Sequence, residues 1–203
     1  MESRNGLVHV ITGDGRGKTT SSLGLALRAI GQGFKVYMIQ FLKSGDTGEL
    51  FAVKKYLPSM TIVQFGKDAL EDKQLKMFEY EGGNKVEIKP VGPKGGGKYY
   101  HFPSDNEEAE PARRALEHAF NIIKKGEHDV VILDEINCSL KKGLIPIQAA
   151  LDLIKEKPQH VELLFTGRDA PKELMEVADY VSEVRRIKHP YDRGILARRG
   201  IEY

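Results

Sequence analysis

Leu7-Val-His-Val-Ile-Thr-Gly-Asp-Gly-Arg-Gly-Lys-Thr-Thr20, followed by an apolar periodic run to Ile30, is the stretch whose reading decides the fold. Leu7 to Ile11 is a short apolar run of strand type. Thr12 to Thr20 is a glycine-rich loop, and the helical run after it stops at Gly31-Gln-Gly33. Glycines at 13, 15 and 17 let the backbone aim its N–H groups at an anion. Lys18 adds a positive charge, Thr19 offers a hydroxyl to a bound Mg²⁺, and the helix N-terminus adds its partial positive charge. Strand, Gly-Lys-Thr and helix in this order form a phosphate cradle. They argue against the plainer alternative of a glycine-rich turn without a ligand. One position departs from the usual spacing: where a glycine commonly stands five residues before the Gly-Lys pair, this chain has Thr12.

Outward from this stretch, apolar strands alternate with amphipathic helices. Lys35–Phe41 and Thr61–Phe65 read as strands, with a loop over 42–49 and a short helix over 50–56 between them. Pro111 is expected at the first position of a long helix that buries Ala112, Ala115, Leu116, Ala119 and Ile123 and stops at Gly126. Asp129–Glu135 is an apolar strand ending in two acids. A helix from Pro146 to about Lys157 is expected to bury Ile147, Ala150, Leu151 and Ile154. The first helix is expected to bury Leu23, Leu27 and Ile30. Val161–Phe165, a helix from Pro171 to Ala178, and Tyr180–Val184 complete the alternation, and a basic tail closes it. The pattern predicts an α/β fold with a mostly parallel sheet flanked by helices. Residues 66–105 break the rhythm. A helix over 69–80 and a two-stranded flap from 85–89 and 98–102 are expected there, as an insertion in a single domain spanning 1–203.

The 203 residues, 40% hydrophobic and 30% charged, fit one large globular domain. No apolar run reaches membrane-spanning length and no signal-peptide core opens the chain. A cytoplasmic protein without membrane association is expected. A single cysteine, Cys138, excludes an internal disulfide, and a net charge of +2 is too small to argue for nucleic acid. Cys138 is expected in a loop, as an inert thiol with no histidine nearby in sequence to activate it.

In parallel sheets, ligands gather at the carboxyl ends of the strands. At those ends lie the phosphate loop, Lys43, Asp134-Glu135, Thr166-Gly-Arg168 and Arg185-Arg186. Asp134 is the natural partner of a Mg²⁺ held by Thr19, directly or through a water. Glu135 can ligate the ion or orient a water. Arg168 can reach a phosphate oxygen. For Arg28, in the first helix, a salt bridge and a ligand contact are both open. These residues together predict a Mg²⁺–nucleoside triphosphate site and leave the reaction undetermined.

Several stretches carry a closer likeness: Gly13–Thr20, Gln40-Phe-Leu-Lys43 with Gly48-Glu49, Val131–Glu135, Phe165–Arg168, Ala178–Glu183, and the tail from Lys188 to Glu202. Together they resemble the P-loop type of ATP:corrinoid adenosyltransferase. The resemblance implies a RecA-like P-loop sheet, usually in a homodimer. It implies ATP and a corrinoid as substrates, a reductase such as a flavoprotein to supply Co(I), and transfer of the adenosyl group to cobalt with release of triphosphate. By the same carry-over, Gly13, Asp14, Gly15, Arg16, Gly17, Lys18, Thr19 and Thr20 hold the triphosphate. Thr19 with Glu135 or Asp134 holds Mg²⁺, and Arg28 and Arg168 assist; Lys43 and Glu49 are further candidates. Family members carry a shorter aromatic segment with a tryptophan where this chain has the tryptophan-free 66–105 insertion. Phe65, Phe78, Tyr99 and Tyr100 are the candidates to face the corrinoid. The rival readings are a P-loop ATPase that hydrolyses ATP to ADP and phosphate, and a non-catalytic ATP- or corrinoid-binding module.

Overall fold

The computed structural model describes residues 5–45, 47–66 and 107–202. The helix, the flap and the candidates Phe78, Tyr99 and Tyr100 expected between 66 and 105 lie outside the described residues. In chain order the elements are β1 (Val8–Thr12), α1 (Lys18–Gly31), β2 (Val36–Phe41), α2 (Gly48–Tyr56), β3 (Met60–Phe65), α3 (Ala109–Lys125) and β4 (Val130–Asp134). They continue with α4 (Ile136–Lys141), α5 (Ile147–Glu156), β5 (Glu162–Thr166), α6 (Lys172–Val177), β6 (Tyr180–Glu183) and a 3₁₀ turn over Pro190–Arg193.

Among the described residues the strands form one six-stranded sheet in the order β3-β2-β4-β5-β1-β6, and every pairing is parallel. All strand carboxyl ends therefore meet at one edge. Side chains alternate across the sheet, as the period of two requires. Tyr37, Ile39, Phe41, Val131, Leu133, Leu163 and Phe165 face a core shared with α3, α4, α5 and α6. Val36, Met38, Val130, Ile132 and Leu164 face a second core shared with α1 and α2. Leu116 of α3 is 1% exposed, and truncating such a side chain costs about 2–5 kcal/mol. No helix among the described residues is long and apolar enough to cross a membrane.

Four expectations are corrected in detail. The buried stripe of α1 is Ser22–Ala26–Ala29, with Leu23 and Ile30 packed at its flanks and Leu27 59% exposed. Small residues let the helix axis approach the sheet, so the larger ones pack beside the contact rather than in it. α3 begins at Ala109, which makes Pro111 the third helical residue; it stays within the first turn, where an N–H has no intrahelical acceptor in any case. α5 buries Ala149, Ala150, Asp152 and Leu153, while Leu151 is half-buried. Asp152 can face inward because Gln148 Nε2 donates to its carboxylate at 3.0 Å. Finally, the residues after Glu135 form α4 rather than a loop, so Cys138 is helical.

Candidate active site at the carboxyl edge of the sheet

Thr12, the departure from the usual phosphate-loop spacing, belongs to the sheet. It is the last residue of β1, paired with Glu183 of β6. Its Oγ1 accepts from Ala170 N at 3.0 Å, tying the loop after β5 to β1. The turn then begins at Gly13, whose φ of 100° suits glycine. A Cβ at Gly13 would stand 2.4 Å from the carbonyl oxygen of Val184, and one at Gly15 would stand 2.7 Å from that of Arg185. Two of the three loop glycines are thus required by the chain that leaves β6. Gly15 N also donates to Val184 O at 2.7 Å.

Lys18 is buried, and its ammonium donates to Gly13 O at 2.7 Å and Gly15 O at 2.8 Å. Those two bonds hold it inside the loop's concavity and leave a third donor for an anion. Burial lowers its pKa from the ordinary lysine value.

β5 separates β1 from β4, and its last residue bridges the gap. Thr166 Oγ1 donates to Asp134 Oδ1 at 2.6 Å, and Thr19 Oγ1 at the start of α1 donates to the same oxygen at 2.8 Å. Lys43 Nζ and Gln40 Nε2 donate to Asp134 Oδ2 at 2.7 and 3.1 Å. Asp134 is 0% exposed, so four donors replace the water it lost. Lys43 also lies 3.9 Å from Glu49. Gln64 Nε2 donates to Gln40 Oε1 at 2.9 Å, and Gln40 Nε2 donates to Glu49 Oε1 at 3.1 Å. The register sets Gln64, Gln40 and Asp134 side by side on β3, β2 and β4. Sequence reading missed this chain of amides. Its signal was available: two glutamines inside otherwise apolar strands.

Glu135, the next residue, is different. It holds the left-handed conformation at φ 63°, its N donates to Thr166 Oγ1 at 3.1 Å, and its side chain lines the cleft. The Cys138 thiol donates to Glu135 Oε2 at 2.9 Å. Burial, reinforced by that carboxylate, pushes the thiol up to about 11, which keeps it protonated and inert.

Around the phosphate loop lies a cleft of about 340 Å³, lined by residues 14–20, Lys43, Glu135, Arg168, His189, Ile201 and Glu202. A second cleft of about 520 Å³ opens beside it. It shares Lys43, Glu135 and Arg168 and adds Phe41, Leu42, Cys138, Lys141, Lys142 and Asp169. Arg168 thus stands between the two. Arg28 is exposed in the last turn of α1, about three turns beyond Lys18 and away from both clefts. Phe65 is 8% exposed and packs in the core, its ring 5.5 Å from that of His118. The tail arginines take unlike places. Arg185 pairs with Glu183, and Arg186 pairs with Asp192 while its N donates to Asp14 Oδ1 at 3.0 Å. That backbone donor lowers the pKa of Asp14.

The geometry suits a polyphosphate in the first cleft, with the rest of a larger molecule, or a second one, beside it. Comparison with known proteins is specific. The family model described as ATP:corrinoid adenosyltransferase BtuR/CobO/CobP matches residues 4–80 and 59–203. The chain is 28% identical over 205 residues to the corrinoid adenosyltransferase of Escherichia coli strain K12, covering 100% of this chain and 88% of that protein. It is 32% identical over 200 residues to the corrinoid adenosyltransferase of Sinorhizobium sp, covering 98% and 80%. Against the corrinoid adenosyltransferase CobA of Salmonella typhimurium it is 27% identical over 205 residues, covering 100% and 88%.

Proposed function

The chain belongs to the ATP:corrinoid adenosyltransferases, and on that premise we propose which of its residues carry each part of the reaction. The enzyme transfers the 5′-deoxyadenosyl group of ATP to the Co(I) of a corrinoid. Cobalt supplies the electron pair that forms the cobalt–carbon bond to C5′. The C5′–oxygen bond breaks, and its electrons leave with inorganic triphosphate. The nucleophile arrives with the substrate, so the protein's part is to position both molecules and to stabilise the leaving group.

Lys18, the loop residues 13–17, Thr19, Thr20 and the first turn of α1 hold the triphosphate. Arg168, at the boundary of the two clefts, neutralises charge on the phosphate nearest the breaking bond. The residues fit a Mg²⁺ ion. The Thr19 hydroxyl donates to Asp134 and accepts a long bond from Lys43 Nζ at 3.5 Å, which leaves it one lone pair, and the Glu135 carboxylate lines the same cleft. Both Asp134 oxygens are taken by donors, which makes Asp134 the orienting group and Glu135 the direct ligand. When bound there, the ion spreads the negative charge that builds on the leaving oxygens. The second cleft takes the nucleoside end and the edge of the corrinoid, which brings C5′ to the level of Arg168. Arg28 stays outside this set. Phe65 supports the sheet from the core, which leaves Phe78, Tyr99 and Tyr100 as the aromatic candidates for the corrinoid.

The same reading carries a single domain over 1–203 with its insertion at 66–105, a homodimer, a flavoprotein-type reductase and a cytoplasmic setting. The exposed apolar residues of β6 and the tail, among them Tyr180, Ile187 and Leu196, support a surface covered by a second copy. The need for a Co(I) nucleophile supports a reductase.

The observation that carries the assignment is the meeting of Lys18, Thr19, Asp134, Glu135 and Arg168 at one sheet edge, in a chain matched along its length by this family. An anaerobic assay with ATP and a Co(I) corrinoid tests it. The expected result is the absorbance change of cobalt–carbon bond formation, with one triphosphate released per adenosyl group. Formation of ADP and phosphate without that change would overturn it in favour of a hydrolase.

A further inference from the structure

The segment after the 3₁₀ turn places the Glu202 carboxylate in the phosphate cleft. Ile201 and Glu202 line it together with Lys18 and Thr19. Arg198 grips Glu202 three times: its N donates to Oε2 at 2.7 Å, its Nε to Oε2 at 3.2 Å, and its Nη2 to Oε1 at 3.0 Å. Arg16, a residue of the phosphate loop itself, donates Nη2 to Ile201 O at 2.6 Å and lies 3.8 Å from Glu202 Oε1. The hydrogen bonds from Arg198 hold the Glu202 carboxyl down at about 2, so it is an anion throughout the neutral range. Arg16 and Arg198 therefore converge on a negatively charged oxygen pair inside a cleft shaped for phosphate oxygens. Arginine forks recognise carboxylates and phosphates through the same two-point geometry.

We propose that the Glu202 carboxylate is an internal stand-in for a terminal phosphate, and that a bound triphosphate displaces it and takes over Arg16 and Arg198. Arg198 then becomes a triphosphate ligand supplied by the tail, and Glu202 becomes the group that competes for the site when triphosphate must leave. The exchange is balanced, because one anion replaces another between the same two cations. The arginine sides of these pairs are exposed, with 52% and 58% of the Arg16 and Arg198 side chains accessible against 21% for Glu202, and pairs open to water on one side are weak enough to exchange partners. This inference rests on the assignment of the first cleft to the triphosphate.

The test is calorimetric titration of the full-length protein with inorganic triphosphate. Wild type, Glu202→Gln, Arg198→Met and Lys18→Ala are compared, with circular dichroism to confirm that each is folded. If the clasp is closed nine-tenths of the time, removing the competitor tightens binding about tenfold. Glu202→Gln is therefore expected to bind triphosphate roughly three- to tenfold more tightly, and in turnover to lower KM while slowing product release. Arg198→Met is expected to bind several-fold more weakly. A merely structural ion pair predicts instead that the two variants shift binding in the same direction, because both break the same contact; that result, or an unchanged affinity in Glu202→Gln, would overturn the inference. Triphosphate bound by wild type and lost in Lys18→Ala upholds the phosphate site whatever the tail variants do. Triphosphate bound by neither wild type nor Glu202→Gln would overturn the phosphate site and this inference with it.

Discussion

The two halves of the phosphate cleft are built in opposite ways. The half formed by the sheet edge is buried and closed on itself: Asp134 is fully covered and meets four donors drawn from α1, β2, β5 and the segment after β2. The half formed by the tail is exposed and held by arginine–carboxylate pairs, Arg198 with Glu202 and Arg186 with Asp192. A buried charge that loses its partner costs several kcal/mol, whereas a pair in contact with water is screened and contributes little. The sheet half is therefore preorganised and the tail half is free to exchange partners. That division suits a reaction in which a large anion must be held in one orientation and then released.

The comparison is broken most directly at Lys18. Lys18→Ala removes the cation fixed within the loop, and kcat/KM for adenosyl transfer is expected to fall on the order of a thousandfold. Wild-type turnover in that variant would remove the sheet half from the mechanism. Next in size is Asp134→Asn, which sets an amide N–H₂ against two of the four donors and removes the charge that Lys43 pairs with. A loss of about 3–5 kcal/mol of unfolding free energy is expected by urea titration. A loss below about 1 kcal/mol would mean that the sheet edge is no more rigid than the tail.

Acid separates the sheet from the tail as well. His118 is half-buried against β2 and β3, its Nε2 2.8 Å from Tyr37 Oη, and loss of solvent around the ring lowers its pKa to about 4. Between the ordinary histidine value and that one, the unfolded chain binds the proton that the folded chain refuses. Stability is therefore full above about pH 6.5 and declines as the pH falls toward 4, by up to about 3 kcal/mol. Glu202 has linkage of the same sign in a more acid window: its pair with Arg198 is intact above the ordinary carboxylate value and is lost as the pH falls from there through about 2. Urea midpoints measured from pH 7.5 to 4.5 should fall for wild type and fall less for His118→Gln, while the tail's resistance to proteolysis under native conditions stays level to pH 5.

How far the site was legible follows the same division. Residues 13–20, Asp134, Glu135 and Arg168 were readable because each is a chemically distinctive type at a strand's carboxyl end, and a parallel sheet gathers those ends at one edge. Thr12 looked like a damaged glycine because the spacing rule does not register that β6 pairs beside it. The order β5-β1-β6 is a tertiary fact, and so is the need for Gly13 and Gly15 to pass under Val184 and Arg185. Leu27 and Leu151 were misplaced for a related reason: periodicity gives the apolar face of a helix, but the closest contact with the sheet goes to whichever small residues permit it. The tail's return to the loop was not legible from the residues' chemistry: a run of basic residues reads on composition alone as a solvated face, and only the likeness carried by Lys188 to Glu202 singled it out.

Glu135→Gln comes next. Loss of a group that only orients a metal ligand typically costs about ten- to a hundredfold in metal affinity, so loss of Glu135 as a direct ligand should weaken Mg²⁺ binding by at least about that factor. ATP binding titrated against Mg²⁺ should shift by that factor while unfolding free energy changes little, since Glu135 is half-exposed and makes few contacts. Unchanged metal dependence would transfer the ligand role to Asp134, and the saturated carboxylate would then have to exchange a donor for the ion.

The smallest effect is expected at Asp192→Asn, and it is the one that fixes the scale of the tail. Asp192 pairs with Arg186 at the surface, with 51% of its side chain accessible. Water screens both partners, so removing the charge should cost less than about 1 kcal/mol of global stability. The tail is anchored to the loop by separate bonds as well, from Arg186 N to Asp14 and from Gly15 N to Val184 O, and these survive the substitution. Unfolding midpoints should therefore match wild type, while amide exchange over residues 188–202 should quicken, because local opening requires only the tail to leave. A global loss as large as that of Asp134→Asn would show that the tail is part of the cooperative core, and that the exchange of anions at Glu202 would have to proceed against the fold rather than at its margin.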